Sequence, residues 1–226
     1  MTRTTKRLVC LAAALIFVLT LVLPCVALAE PQKDFTGYTP ISTKEGLDAI
    51  RNDPYGRYYL TQDIVFTQED FAPGGAFYND GAGWIPIDTL RGTLDGNGYT
   101  IRGLRINYSK PEGAQISRAG LFGEINGKVK NLTLADCQIV VIRSGEPAEA
   151  ACVGTIAGEI SMGSEIVNCV AKGSIVGKED TYIIAGGLVG CYYASQYEKE
   201  MSSRIVGCTS AVDITHEAFE TDGNIV

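Results

Sequence analysis

The chain has 226 residues, 46% of them hydrophobic and 20% charged, which is enough for one domain plus a targeting segment. Its net charge is −7, which argues against nucleic acid and anionic membranes as partners. One histidine and no Cys-x-x-Cys motif leave too few ligands for a zinc site, and we expect neither a metal nor another cofactor.

The N-terminus has the pattern of a secretory signal peptide. A basic start is followed by an uncharged, mostly apolar run over residues 8–23, which Pro24 ends. Ala27 and Ala29 are small residues at the two positions that a signal peptidase recognises before its cleavage site. We therefore expect cleavage of residues 1–29 and a mature chain that begins at Glu30. An uncleaved membrane anchor is the alternative; cleavage would leave no stable membrane span.

Residues 30–118 are predicted to form an N-terminal cap and the first coils of a repeat structure. Ser42-Thr43-Lys44-Glu45 has the form of a capping box, so a short helix is expected at about 43–51. Further on, Asp95-Gly96-Asn97-Gly98 lacks the spacing of a calcium loop, and Gly and Asn favour a tight turn there.

Residues 119–226 contain the main signal, a short motif in three copies. Its first element is bounded by small residues in each copy, with the sequences Gly-Leu-Phe-Gly at 120–123, Thr-Ile-Ala-Gly at 155–158 and Gly-Leu-Val-Gly at 187–190. A second, β-branched element follows each copy, with equivalent positions at Val129, Ile166 and Ile205. The connections vary in length while the elements recur, which is typical of a solenoid.

The repeated elements are short, β-branched and bounded by glycine, and no stretch has apolar residues at a helical period. The repeats are therefore expected to be β-coils. The fold predicted is a right-handed parallel β-helix with a small helix-containing cap. Val129, Ile166 and Ile205 would stack in register, and Leu132, Cys169 and Cys208 would form a second inward row. Asn131 and Asn168 would stack with their amides bonded along the row, which Gly207 ends.

These copies, with Asn168-Cys169 after the middle one, resemble GLUG-motif repeats. The segments 84–87 and 92–101 resemble the coil that often precedes such repeats, so the likeness covers about residues 38–226. The middle copy departs from the pattern at Thr155 and Ala157. The resemblance implies an exported bacterial surface protein with a parallel β-helix; the family also occurs as non-catalytic parts of zinc immunoglobulin-A peptidases.

Glu124 and Glu159 occupy the same repeat position, so adjacent coils would place their Cα atoms about 4.8 Å apart. Two carboxylates at that distance suit a retaining glycosidase or a cation site, but two solvated surface side chains are the plain alternative. His216 has no companion motif and is expected to be a surface residue rather than a general base.

Five cysteines follow the signal segment, an odd number, so at least one thiol lacks a partner within the chain. Their pairing is left open among Cys137, Cys152, Cys169, Cys191 and Cys208. Cys169 and Cys208 share the inward row, where either a disulfide or two buried thiols would fit.

The longest insertion after a repeat carries Tyr192, Tyr193 and Tyr197, whose rings could form a ligand-binding surface or pack back onto the coil. The final residues, 222–226, look like the lead-in to a further copy, so the array is predicted to be incomplete.

Together these features predict a secreted or cell-surface module, adhesin-like or scaffolding, whose partner is an extracellular glycan or a host or cell-surface protein. No catalytic constellation is found. The alternative is a polysaccharide-active β-helix enzyme, a lyase or glycoside hydrolase, because fold alone does not decide function.

Overall fold

The computed structural model describes residues 33–108, 117–142, 150–178, 183–193 and 202–217. The predicted signal segment and residues 222–226 lie outside these ranges. The chain divides into two units, Met1–Phe35 and Thr36–Val226, and the features below belong to the second. Within the described ranges, no helix has the length and apolar character needed to cross a membrane.

The described residues form one short α-helix, α1 (Lys44–Asp48), and many short strands. The strands of the cap and first coils are β1 (Thr39–Ile41), β2 (Arg57–Leu60), β3 (Ile64–Val65), β4 (Ile87–Leu90), β5 (Thr93–Asp95), β6 (Thr100–Arg102), β7 (Arg105–Tyr108) and β8 (Arg118–Ala119). Those of the repeats are β9 (Phe122–Ile125), β10 (Lys128–Lys130), β11 (Thr133–Ile142), β12 (Ala151–Gly154), β13 (Ala157–Ile160), β14 (Glu165–Val167), β15 (Val170–Lys178), β16 (Ile183–Gly186), β17 (Val189–Tyr192), β18 (Arg204–Val206) and β19 (Thr209–Glu217).

These strands wind into a parallel β-solenoid of about 4 turns, as predicted. Sheet A contains β1, β2, β5, β10, β14 and β18; sheet B contains β3, β6, β7, β11, β15 and β19; sheet C contains β4, β9, β13 and β17; and sheet D contains β8, β12 and β16. Strands that follow one another in the repeats pass from sheet D to C to A to B, and each pairs in parallel with its equivalent one coil away.

The predicted stacking rows are confirmed. Val129 pairs with Ile166, and Ile166 with Ile205, at successive levels of sheet A. The Asn168 side-chain amide donates to Asn131 Oδ1 at 3.5 Å, and the Asn131 amide donates to Asp95 Oδ1 at 2.9 Å. The ladder thus begins one coil earlier than the sequence suggested.

The backbone gives a second reason for this row. Asn131 and Asn168 both have φ of 53°, and Gly207, at the same corner between sheets A and B, has φ of 65°. Only glycine and, to a lesser degree, asparagine and aspartate adopt this left-handed conformation at low cost. Gly207 therefore interrupts the amide ladder but satisfies the same backbone requirement.

The N-terminal cap contains the predicted helix with its start shifted by one residue. The helix is capped by Thr43, whose hydroxyl accepts from the Gly46 N–H at 3.0 Å, so the capping box based on Ser42 was wrong. It continues as a 3-10 turn, Ala49–Asn52, and it buries Leu47 and Ile50 completely.

An aromatic cluster between β3 and β4 packs beside this helix, and its members are Phe66, Phe71, Phe77 and Trp84. Trp84 is fully buried, and its indole N–H donates to the Leu121 carbonyl at 3.1 Å. This bond ties the cap region to the first copy of the repeat motif.

Candidate functional site

Sheets C and D touch backbone to backbone where the repeat motif places its glycines. A Cβ atom on Gly158 would lie 2.7–2.8 Å from backbone atoms of Cys152, Ala119 and Arg118, and one on Gly190 would lie 2.3 Å from the Val153 nitrogen. These distances leave no room for a side chain. The motif therefore requires glycine so that the two sheets can approach, and the side chains beside the contact are brought together.

Glu124 and Glu159 meet at this contact. They are register partners on β9 and β13, as their shared repeat position predicted. Sequence reasoning missed the residue between them, Arg118 on β8. Its Nη1 lies 2.8 Å from Glu124 Oε2, and its Nε lies 3.2 Å from Glu159 Oε2. The Ser161 hydroxyl donates to the other oxygen of Glu124.

This geometry is that of a structural ion-pair network. The three charged side chains are 34%, 17% and 12% exposed for Arg118, Glu124 and Glu159, so they are partly withdrawn from water. A retaining glycosidase needs two carboxyls that flank a substrate, one to protonate and one to attack. Here both carboxylates bind the same guanidinium, and nothing in the described residues indicates catalysis.

A disulfide replaces the ion pairs one coil further on. In the third copy Cys191 occupies the position of the two glutamates, and in sheet D Cys152 occupies the position of Arg118. Cys152 and Cys191 are bonded, with their Cα atoms 5.5 Å apart. The sequence left cysteine pairing open, and the structure settles this pair as a link between sheets D and C across adjacent coils. Such bonds persist in oxidising surroundings.

Tyr192 and Tyr193 follow that disulfide directly. Their side chains are exposed, at 53% and 60%, and the Tyr193 N–H donates to the Ile160 carbonyl at 2.9 Å. The third residue of the predicted set, Tyr197, lies outside the described residues. The two tyrosines thus present their rings to solvent from a backbone held by a disulfide on one side and a ladder bond on the other.

Three other described cysteines, Cys137, Cys169 and Cys208, are free thiols. The predicted row is confirmed, since the Cys169 N–H contacts Cys208 Sγ at 3.4 Å in the next coil. Burial raises the pKa of Cys137 and of Cys169 to about 12. A nucleophilic cysteine needs a lowered pKa and access to solvent, so these two thiols serve packing.

The remaining candidates have plain roles. The 95–98 segment is a tight turn, with Asn97 at φ 52° and Gly98 at φ 85°, and Asp95 Oδ1 accepts from the Asn97 N–H at 2.8 Å. His216 lies exposed on β19 opposite Gly177. Within the described ranges, no cluster of three or more histidine, cysteine, aspartate or glutamate residues is arranged to hold a metal ion.

Comparison with known proteins finds a similarity to part of a very long protein. A stretch of 104 residues, 44% of this chain, is 39% identical to part of Halomucin from Haloquadratum walsbyi. The match spans only 1% of the length of that protein. No protein-family profile and no solved structure matches the chain.

Proposed function

We propose that this protein is an exported, non-catalytic module of the GLUG type that acts at the cell surface, in adhesion or as a scaffold presenting binding loops. The observation that carries the proposal is the position of Tyr192 and Tyr193, two exposed aromatic residues directly beside the Cys152–Cys191 disulfide. Aromatic rings provide large contact area, and a fixed backbone reduces the entropy lost on binding.

Three further findings support an extracellular surface module. A disulfide between coils suits an oxidising compartment. The similarity to Halomucin, whose name describes a mucin, is consistent with such a location. A parallel solenoid is also a rigid, extended support on which loops of variable length can be displayed without disturbing the repeats.

The enzyme alternative has less support. Its sequence basis was the Glu124/Glu159 pair, and the contacts of that pair with Arg118 and Ser161 satisfy the carboxylates within the protein. A surface-binding role does not require two free carboxylates. It requires exposed side chains, such as those of Tyr192 and Tyr193.

The test is retention of the exported protein on immobilised extracellular glycans and matrix proteins. We expect specific retention on at least one class, weakened when both Tyr192 and Tyr193 are changed to alanine. The matched control is Val65→Ala, which removes exposed apolar surface from sheet B instead. Equal retention of all three proteins would contradict the assignment of the tyrosines, and retention on no surface would contradict the binding function.

A further inference from the structure

We infer that the outward face of sheet A is a second binding site, for an acidic polysaccharide. This inference rests on the proposed function and deepens it, because it names a ligand class for a surface module, but it concerns a face of the solenoid distinct from Tyr192 and Tyr193 at the end of β17. The sheet A face consists of the outward residues of β2, β5, β10, β14 and β18, with Tyr38, Tyr55 and Arg91 at its margin.

Side chains alternate between the two faces along each strand, and neighbouring strands pair in parallel register. The outward residues of sheet A therefore form columns along the solenoid axis. The first column consists of Arg57, Thr93, Lys128, Glu165 and Arg204. The second consists of Tyr59, Asp95, Lys130, Val167 and Val206. Adjacent members of a column are about 4.8 Å apart, the spacing of neighbouring strands. The face thus presents a regular linear array, which suits an extended polymer.

Positive charge is concentrated on this array although the protein is acidic. Its cations are Arg57, Lys128, Lys130 and Arg204, against two anions, Asp95 and Glu165. The Asp95 side chain is only 3% exposed, and its carboxylate accepts from neighbouring Asn97 and Asn131 and pairs with Lys130 at 3.4 Å. Lys128 pairs with Glu165 at 3.3 Å but keeps 53% of its side chain exposed, and Arg57 and Arg204 are also exposed, so the face carries an excess of positive charge.

Tyrosine rings lie among these cations. The Arg57 guanidinium lies 4.1 Å from the Tyr38 ring centroid, and Lys130 Nζ lies 6.0 Å from the same ring. Tyr38 meets Tyr59 edge to face at 6.5 Å. At the margin, Arg91 lies 5.4 Å from the ring of Tyr55, which is 68% exposed. The rings hold the cations in place by cation–π attraction and leave apolar surface beside them.

This combination identifies the ligand by its chemistry. Carboxylate or sulfate groups repeated along a sugar chain would pair with the cations, and sugar rings carry apolar faces that stack on tyrosine. A double-stranded nucleic acid is less suited, because its bases are stacked inside the duplex, whereas the sugar rings of a polysaccharide are open to stacking on the tyrosines. The sheet A face therefore fits an acidic polysaccharide better than a double-stranded nucleic acid.

The experiment measures binding of the exported protein to polygalacturonate, with heparin as a sulfated probe and dextran as the neutral one. Lys128 and Lys130 are changed together to glutamine. The matched control changes Lys172 and Lys178 on sheet B, which removes the same charge from another face. Melting temperatures of both variants are compared first, because the change at Lys130 takes away the ion-pair partner of the buried Asp95 carboxylate.

We expect the sheet A variant to lose at least about tenfold in affinity for polygalacturonate or heparin, while the sheet B variant stays within about twofold of the parent. Raising the salt concentration should weaken parent binding, because surface charges are screened. An equal loss in both variants, equal binding to dextran, or tighter binding to single-stranded DNA would overturn the inference. If the protein binds other extracellular ligands through Tyr192 and Tyr193 but neither acidic probe, the proposed function stands and only this inference fails.

Discussion

The two ends of the described solenoid differ in how they are covered. At the N-terminal end, α1 and the aromatic cluster enclose the first coils, and Leu47, Ile50 and Trp84 are fully buried. In the last described coil, Ile205 and Ile214 are 47% and 45% exposed. Their register partners one coil earlier, Ile166 and Ile175, are fully buried. Residues at equivalent positions of the repeat therefore contribute differently to stability, depending on whether another coil covers them.

The largest effect is expected at the covered end. Trp84→Ala removes the indole from the aromatic cluster and breaks its bond to Leu121, and we expect a loss of about 3–5 kcal/mol in unfolding free energy. Ile205→Ala, at the uncovered end, should cost less than about 1 kcal/mol because half of its side chain is already in water. Urea denaturation followed by circular dichroism measures both.

Ile166→Ala serves as the control for that comparison, since Ile166 pairs with Ile205 but is buried. It should cost about 2–5 kcal/mol. Similar losses for Ile166→Ala and Ile205→Ala would mean that the last described coil is covered in solution, and the contrast between the two ends would be wrong.

The disulfide should matter next, because it links the last described coil to the coil before it. Cys152 and Cys191 are 39 residues apart, and closing a loop of that size is worth about 3–4 kcal/mol in the chain-entropy account. We expect the Cys152→Ser/Cys191→Ser variant to unfold at lower urea, with β16–β19 released first in amide hydrogen exchange. Cys208→Ser, a thiol outside the disulfide, is the control; equal destabilisation by both would count against the pairing.

Replacing a glycine by alanine should also have different effects on stability in the repeats and in the N-terminal cap. Gly190→Ala forces a Cβ against the Val153 backbone in the contact between sheets C and D, and we expect a loss of about 1–3 kcal/mol. Gly46→Ala in α1 of the cap meets only ordinary contacts, at 3.4 Å and beyond, and should be neutral or stabilising by up to about 1 kcal/mol. Thermal melting compares the two, and a stable Gly190→Ala protein would argue that the sheets are further apart.

The smallest effect concerns pH. Burial raises the native pKa of Cys137 to about 12, above the value of 9.0 for a free thiol. The stabilisation from this neutral thiol is complete below pH 9 and is lost as the pH rises toward 12, because only the unfolded chain ionises there. Between pH 8 and pH 10, Cys137→Val should lessen the fall in unfolding free energy by about 1 kcal/mol. An unchanged pH slope would show that Cys137 is accessible in the native state.

Much of the fold could be predicted from the sequence because the repeat fixes register. Val129, Ile166 and Ile205 recur at corresponding points of β-branched elements, and a parallel stack must align such points. The same reasoning brought Glu124 and Glu159 together. Asn131 and Asn168 were also placed together, although the left-handed backbone that explains Gly207 in their row was not foreseen.

The parts that sequence reasoning missed lie between sheets rather than along them. Arg118 has Cys152 as its register partner, and Cys152 in turn pairs with Ile184, so no repeated charge indicated the role of Arg118. Cys152 and Cys191 sit on different sheets and different coils, and their pairing depends on the approach of sheets C and D at the motif glycines. Contacts of this kind depend on how closely two sheets approach each other at a corner of the solenoid. Local sequence patterns do not encode that distance.

We propose that this protein binds extracellular ligands without cleaving them. It is tested most directly by incubating the exported protein with acidic and neutral polysaccharides and measuring each polymer by size-exclusion chromatography with light scattering. We predict that the molar mass of every polysaccharide stays unchanged while the protein co-elutes with those it binds. Shortened polymers, with the shortening abolished by Glu124→Gln or Glu159→Gln, would contradict the claim and establish the enzyme alternative.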